Sequence, residues 1–154
     1  MTPTAQMAGP VHVATLNHHG HGVLKSFCDI MNPMVLILQG WCTDHLPNHS
    51  METLRQQKRP ADLFATWVSE DRVKELEKAQ NKKNVHDMLK STVGHVVVRV
   101  EPPPNDDTAD DAGNQEQRNN NGTSSPQNPD GQMYHVYILD GNRQVNKYFG
   151  PYAV

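Results

Sequence analysis

Met34-Val-Leu-Ile-Leu-Gln-Gly-Trp-Cys-Thr-Asp-His-Leu-Pro47 opens with five consecutive apolar residues and stops at Gly40-Trp41-Cys42. Bounded by Pro33 and Gly40, the run has no room for an amphipathic helix. It also lacks the in–out alternation of a half-exposed strand, so it reads as a strand over 34–39 buried on both faces. Strands of that kind belong to sheets covered on both sides. A cysteine and, three residues later, a histidine follow at once, which raises the question of a reactive thiol at the end of a buried strand.

On the N-terminal side, Val11-His-Val-Ala-Thr-Leu16 is a short β-branched run closed by Asn17-His-His-Gly-His-Gly22, a strand followed by a loop. Apolar residues at Val23, Leu24, Phe27, Cys28, Ile30 and Met31 have the spacing of a short helix face, which Asn32-Pro33 stops. Downstream, 46–57 reads as a helix with Met51 and Leu54 inward, broken at Arg59-Pro60, and 61–67 as a separate short helix. Ser69 is the N-cap of the next helix. Glu70 and Asp71 suit its first turn, Arg72 leaves the capping box incomplete, and Val73, Leu76 and Ala79 form its inner face. Helix continues or restarts over 82–90 around Val85, Met88 and Leu89, and Gly94-His-Val-Val-Val-Arg-Val-Glu101 is a second buried strand ended by three prolines.

Residues 102–129 hold acidic, Asn, Gln and Ser residues with almost nothing apolar, so their ordering entropy has no offset and a disordered insertion is expected. Beyond it, Met133-Tyr-His-Val-Tyr-Ile-Leu139 and Val145-Asn-Lys-Tyr-Phe149 flank Asp140-Gly141-Asn142 and read as a β-hairpin. The expected domain plan is a flexible N-terminus over 1–10, one domain built from 11–101 and 130–154, and the insertion over 102–129. Strands alternating with helices imply parallel crossovers, and the hairpin adds antiparallel edges to a mixed α/β sheet.

The chain has 154 residues, enough for one domain. Hydrophobic residues make up 36% and aromatic residues 6%, so part of the chain lies outside any packed core. Net charge is −3, and no Lys/Arg run is interleaved with aromatics, which argues against nucleic acid as a partner. The longest apolar run is far shorter than a membrane-spanning helix, so a soluble chain with no membrane span is expected. Residues 1–22 have no basic segment followed by a continuous apolar one, so no signal peptide is read there. Asn48-His-Ser50 and Asn121-Gly-Thr123 fit the N-glycosylation pattern and lean towards a secretory setting. Two cysteines form at most one disulfide, which excludes a disulfide scaffold.

Where a buried strand hands over to a helix, a side chain sits beside unpaired N–H groups and the positive end of the helix dipole. Cys42 is placed at such a junction. Its thiol is expected to be acidified there, with His45 adding to the effect and Asp44 opposing it. The bland alternatives are Cys42 as a buried cysteine acting as a small hydrophobe, Cys28 as a core residue beside Phe27, Trp41 as packing and His135 as a surface or half-buried strand residue. His18, His19 and His21 crowd one Gly-rich loop, and His45 and His49 lie four apart near Cys42. These five are metal candidates, although a closed site needs four ligands in fixed geometry and Pro47 breaks the register of the second pair.

The run from Asn32 to Cys42 resembles the thioredoxin fold, in which a buried strand ends in Trp-Cys and the active-site helix follows. Ser125-Pro-Gln-Asn-Pro-Asp-Gly131, leading into Met133 to Asp140, is similar to the small endoplasmic-reticulum thioredoxin-like proteins and the anterior gradient proteins. The resemblance implies a thioredoxin-like mixed sheet flanked by helices, with Cys42 as nucleophile, Trp41 as the tryptophan before it and His45 in place of the second cysteine. The implied function is thiol–disulfide exchange, or thiol-dependent capture of client proteins in the endoplasmic-reticulum lumen, with no cofactor.

Three departures limit that chemistry. Without a second cysteine at 45, a mixed disulfide at Cys42 is not released intramolecularly unless Cys28 serves. Met133-Tyr-His stands where the family has a cis-proline. The chain ends soon after Phe149-Gly150, with neither a final helix nor a retention signal. A noncatalytic interaction module using the sheet edge and acidic loop, and a histidine-rich metal-binding protein, are the alternatives. A partial likeness of Thr15 to Gly20 and Ile37 to Trp41 to retroelement endonucleases fails because Gly40 stands where an acidic metal ligand is needed.

Overall fold

A computed structural model describes residues 9–101 and 133–153. The expected insertion over 102–129 and all but the last two residues of the expected flexible N-terminus lie outside the described residues. In chain order the elements are β1 (Val13–Thr15), a 3-10 turn (Asn17–Gly20), α1 (Lys25–Met31), β2 (Val35–Leu38), α2 (Asn48–Arg55) and β3 (Asp62–Ala65). They continue with α3 (Glu70–Gln80), α4 (Lys82–Met88), β4 (Leu89–Ser91), β5 (His95–Val100), β6 (Met133–Leu139) and β7 (Val145–Ala153). Among the described residues, no helix is long and apolar enough to cross a membrane.

The fold is α/β, and its strands make two sheets where the sequence pattern predicts one mixed sheet. β1, β2, β3 and β4 lie side by side in chain order, all parallel. β5, β6 and β7 form a separate antiparallel sheet. Parallel connections share one hand, so crossovers that always step in the same direction leave their helices on the same face of the sheet. Among the described residues, all four α-helices accordingly feed one core, through Cys28, Met51, Leu54, Leu76 and Val85. The opposite face must be covered by something else, and the antiparallel sheet covers it.

The run from Val35 to Leu38 shows both contacts in four residues. Leu36 and Leu38 point into the helix-side core with Leu63 and Ala65. Val35 and Ile37 point the other way, to Phe64, Tyr134, Val136 and Ile138. With apolar layers on both sides, every position is apolar and no alternation survives, which is why the strand is legible as an unbroken run.

Residues 61–67, expected to be helical, carry β3 instead. Leu63 and Phe64 are both fully buried, one on each face, so this strand too lacks the period-two signature. β4 has no sequence signature, because its three residues are too few to show any period. β5 is less buried than expected: alternate residues face solvent, as befits the edge of a sheet with only one covered face. The hairpin is present, and the Asp140 carboxylate accepts from the Asn142 and Gln144 backbone N–H groups at 2.9 Å each, closing the turn. Ser69 caps α3, accepting from the Arg72 N–H at 3.1 Å.

Candidate functional site

β1 and β2 are parallel neighbours, so their carboxyl ends open onto the same edge of the sheet. The loop after β1 carries His18, His19 and His21. The loop after β2 carries Trp41, Cys42, Asp44 and His45. Parallel pairing thereby joins two groups that are separated in the chain by the whole of α1 and β2.

The first loop is held in an unusual backbone conformation. His18 (φ 49°, ψ 48°) and His19 (φ 51°, ψ 32°) are both left-handed, at a cost of about 1 kcal/mol or more each. Such strain persists only where surrounding bonds dictate it. Here the His19 carbonyl accepts from Leu46 N–H at 3.1 Å, and the His18 carbonyl accepts from His21 N–H at 2.8 Å. The Ser50 hydroxyl donates to the Gly20 carbonyl. Gly20 itself is buried at φ 89°, where a Cβ would come within 3.3 Å of the Leu46 backbone. The second loop is therefore a template for the first.

That second loop is equally constrained. Gly40 is pressed so closely on the neighbouring strand end that a Cβ there would lie 2.1 Å from the Trp67 carbonyl oxygen. Its N–H donates to Thr66 Oγ1 at 3.0 Å. Arg72 reaches across from α3 and donates to the Leu46 carbonyl at 2.9 and 3.1 Å and to Asn48 Oδ1 at 2.9 Å. Leu46, at φ 59°, is thereby fixed in its left-handed conformation.

Within this frame the sequence candidates fall as follows. Cys42 is exposed, and it does not sit at a helix N-terminus: α2 starts only at Asn48, after Pro47. The thiol thus lies outside the first turn of α2, within which the helix dipole acts. His45 precedes the helix as well, so it shares no helix face with His49. Trp41 is 67% exposed, with its indole edge against His19 (centroids 3.9 Å) and His45 (4.9 Å). Cys28 is a core residue as expected, and burial, helped by the Asp29 carboxylate, pushes its thiol pKa up. His135 is more buried than expected: it shares a 2.7 Å hydrogen bond with the Tyr148 hydroxyl, and its Nε2 lies 2.9 Å from Glu101.

Three potential ligand atoms converge: one each from Cys42, Asp44 and His45, all within 4.8 Å of one another. The Cys42 thiol bonds the Asp44 carboxylate, which holds that carboxyl below its ordinary range; the nearby His45 and His21 imidazoles act in the same direction. Burial pushes the His45 pKa down, the neighbouring His19 imidazole adds to this, and Asp44 opposes it. A neutral imidazole is the form that ligates metal. The Trp41 backbone N–H donates to His45 Nδ1 at 3.2 Å, so the neutral ring carries its proton on Nε2. His19 is the reverse case. Its Nδ1 lies 2.7 Å from the Gln39 carbonyl oxygen, which only accepts, so Nδ1 holds the proton and Nε2 the lone pair.

The histidines form a stack around this group. His19 lies almost parallel to His45 (centroids 4.5 Å, 17°), His21 stands nearly perpendicular to it (6.1 Å, 84°), and His18 is next to His21 (5.6 Å). In the sequence the two histidine groups stand apart, and Asp44 figures only as an opponent of the thiolate. The Cys-x-Asp-His spacing within one turn is the signal that could have grouped Asp44 with Cys42 and His45. No family model matches the chain, and no curated protein or solved structure matches it.

Proposed function

We propose that this chain binds a transition-metal ion through Cys42, Asp44 and His45 at the carboxyl edge of its parallel sheet. The observation that carries the reading is the convergence of thiol, carboxylate and imidazole ligand atoms within 4.8 Å. Around a tetrahedral ion with bonds of about 2.0 to 2.3 Å, ligand atoms are separated by about 3.3 to 3.8 Å, so the set closes by about 1 Å. Cys42 and Asp44 are exposed and adjust by rotamer changes, while His45 is held at 7% exposure and supplies the fixed point.

The ligand types narrow the ion. Thiolate with imidazole suits Zn2+ or Co2+, whereas Mg2+ and Ca2+ take oxygen ligands. Binding releases the thiol proton, since only the thiolate ligates. At His45 the ion takes Nδ1, because the tautomer with its proton on Nε2 is already in place. The ion then displaces the Trp41 N–H, which the exposed loop passes to water.

Titration with Co2+ tests this reading. One equivalent binds with a thiolate-to-cobalt charge-transfer band, and Cys42→Ser removes the band. A wild-type protein without the band, or a band that survives Cys42→Ser, overturns it.

A second reading is thiol–disulfide exchange or capture of client proteins through Cys42, in line with the resemblance to thioredoxin-like proteins of the endoplasmic reticulum. The exposed thiol beside an exposed Trp41 at the end of a buried strand favours it. It requires Cys42 to alkylate faster at neutral pH than an ordinary thiol and Cys42→Ser to abolish mixed disulfides; ordinary alkylation rates sink it.

A further inference from the structure

We infer that His21 closes the metal site as a fourth ligand, giving a Cys42–Asp44–His45–His21 set that spans both loops; this rests on the metal-binding reading above. Three ligands from one short turn leave a position open, and two histidines from the first loop stand beside it. Their ring orientations separate them.

An imidazole nitrogen binds a metal along its lone pair, which lies in the ring plane. His19 is stacked on His45 with only 17° between planes. An ion in the plane of one ring therefore lies well off the plane of the other, and the two do not ligate the same ion without one of them turning. His19 is not at liberty to turn, because its Nδ1 is bonded to the Gln39 carbonyl at 2.7 Å and the Trp41 edge packs against it at 3.9 Å between centroids.

His21 has the opposite geometry. Its plane stands 84° from that of His45, with centroids 6.1 Å apart. Two imidazoles on one tetrahedral ion, each bonded at about 2.1 Å, have centroids about 5 Å apart, so His21 needs to approach by about 1 Å. A closed four-ligand set of this kind favours Zn2+, which accepts tetrahedral mixed thiolate, imidazole and carboxylate coordination.

The linkage also accounts for the strained backbone of the first loop. The left-handed His18 and His19 precede Gly20 and turn the chain back, so that His21 arrives on the same side as the second loop. In this arrangement His19 is a wall of the site and His21 a ligand.

The test compares His21→Ala, His21→Gln and His19→Ala with the wild-type chain, using Co2+ for geometry and competition with Zn2+ for affinity. Wild type is expected to show the intense visible bands of tetrahedral cobalt together with the charge-transfer band. Both His21 variants keep the charge-transfer band, lose the tetrahedral intensity and bind Zn2+ at least about tenfold more weakly. His19→Ala removes packing against His45 and no ligand, so its bound cobalt keeps the tetrahedral bands even where its affinity drops. If both His21 variants match wild type in spectrum and affinity, the inference fails while the three-residue reading stands. If His19→Ala alone loses the tetrahedral bands, the assignment of His21 is overturned in favour of His19. Absence of cobalt binding in wild type removes the underlying reading itself. Far-ultraviolet dichroism on each variant separates ligand loss from unfolding, and two different His21 side chains guard against a fold defect peculiar to one.

Discussion

Replacing Gly40 with alanine probes how tightly the candidate site is tied to the sheet. The new Cβ would stand 2.1 Å from the Trp67 carbonyl oxygen, where ordinary contact begins at 3.4 Å. The obstacle is backbone, so rotamer change gives no relief. Trp67 is held by its bridge to Val93, and the adjoining Val68 N–H donates to the Thr92 carbonyl at 2.7 Å. On the other side, Gly40 is tied to Thr66 Oγ1 at 3.0 Å. One of these anchors must break. Overpacking against side chains costs about 1–3 kcal/mol, and a clash with two anchored backbones belongs at the upper end, about 3 kcal/mol. For a chain of this size that lowers Tm by about 6–12 °C. The displaced loop also shifts Cys42, two residues on, relative to His45, so Co2+ affinity should fall at least about tenfold, the loss expected when the support of a metal ligand is removed. Urea unfolding followed by tryptophan fluorescence measures the first effect and cobalt titration the second. Gly141→Ala is the control, because a Cβ there meets nothing within 4 Å, and it should stay within about 0.5 kcal/mol of wild type. A Gly40→Ala protein as stable as that control would refute the close approach of the two strand ends and the coupling built on it.

Two further expectations test other parts of the molecule. In native protein, iodoacetamide should label Cys42 and leave Cys28 intact until urea unfolds the chain, because Cys28 is 4% exposed and burial raises its thiol pKa; labelling of both at equal rates would place Cys28 outside the core. Burial pushes the Tyr134 hydroxyl up to about 12, and burial with a hydrogen bond donated to Asp62 raises Tyr152 as well. Their protonated forms favour the folded state, so this stabilisation is complete below about pH 10, the ordinary tyrosine value, and is lost as pH rises towards about 12. Urea midpoints measured from about pH 9 to 12 should fall only above about 10, and Tyr134→Phe should flatten the decline; an equally steep decline in the variant would contradict it.

Several elements are legible in the sequence because their signal is local. α3 announces itself through Ser69, the acids after it, and the spacing of Val73 and Leu76; the hairpin does so through Asp140-Gly141-Asn142 between two β-rich runs. β2 is legible as a run buried on both faces. β3 is buried the same way yet reads as helix, because Asp62 to Ala65 is so short that an apolar strand and a turn of buried helix look alike. The candidate site is half legible. Cys42, His45, Trp41 and the histidine loop stand out along the chain, but as separate features, and Asp44 registers only through its charge.

Local signals suffice for the α/β class, the parallel crossovers, the end of a buried strand at Gly40-Trp41-Cys42 and the core position of Cys28, since each follows from the period or punctuation of a few neighbouring residues. Long-range packing settled three other matters. It divided the strands between two sheets, because the open face of a one-sided parallel sheet needs an apolar cover and β6 supplies it with Tyr134, Val136 and Ile138. It left Cys42 in a loop ahead of α2, which begins at Asn48 after Pro47. And it brought His19 and His21 to Asp44 and His45, because adjacent parallel strands deliver their following loops to one edge, whatever length of chain lies between them.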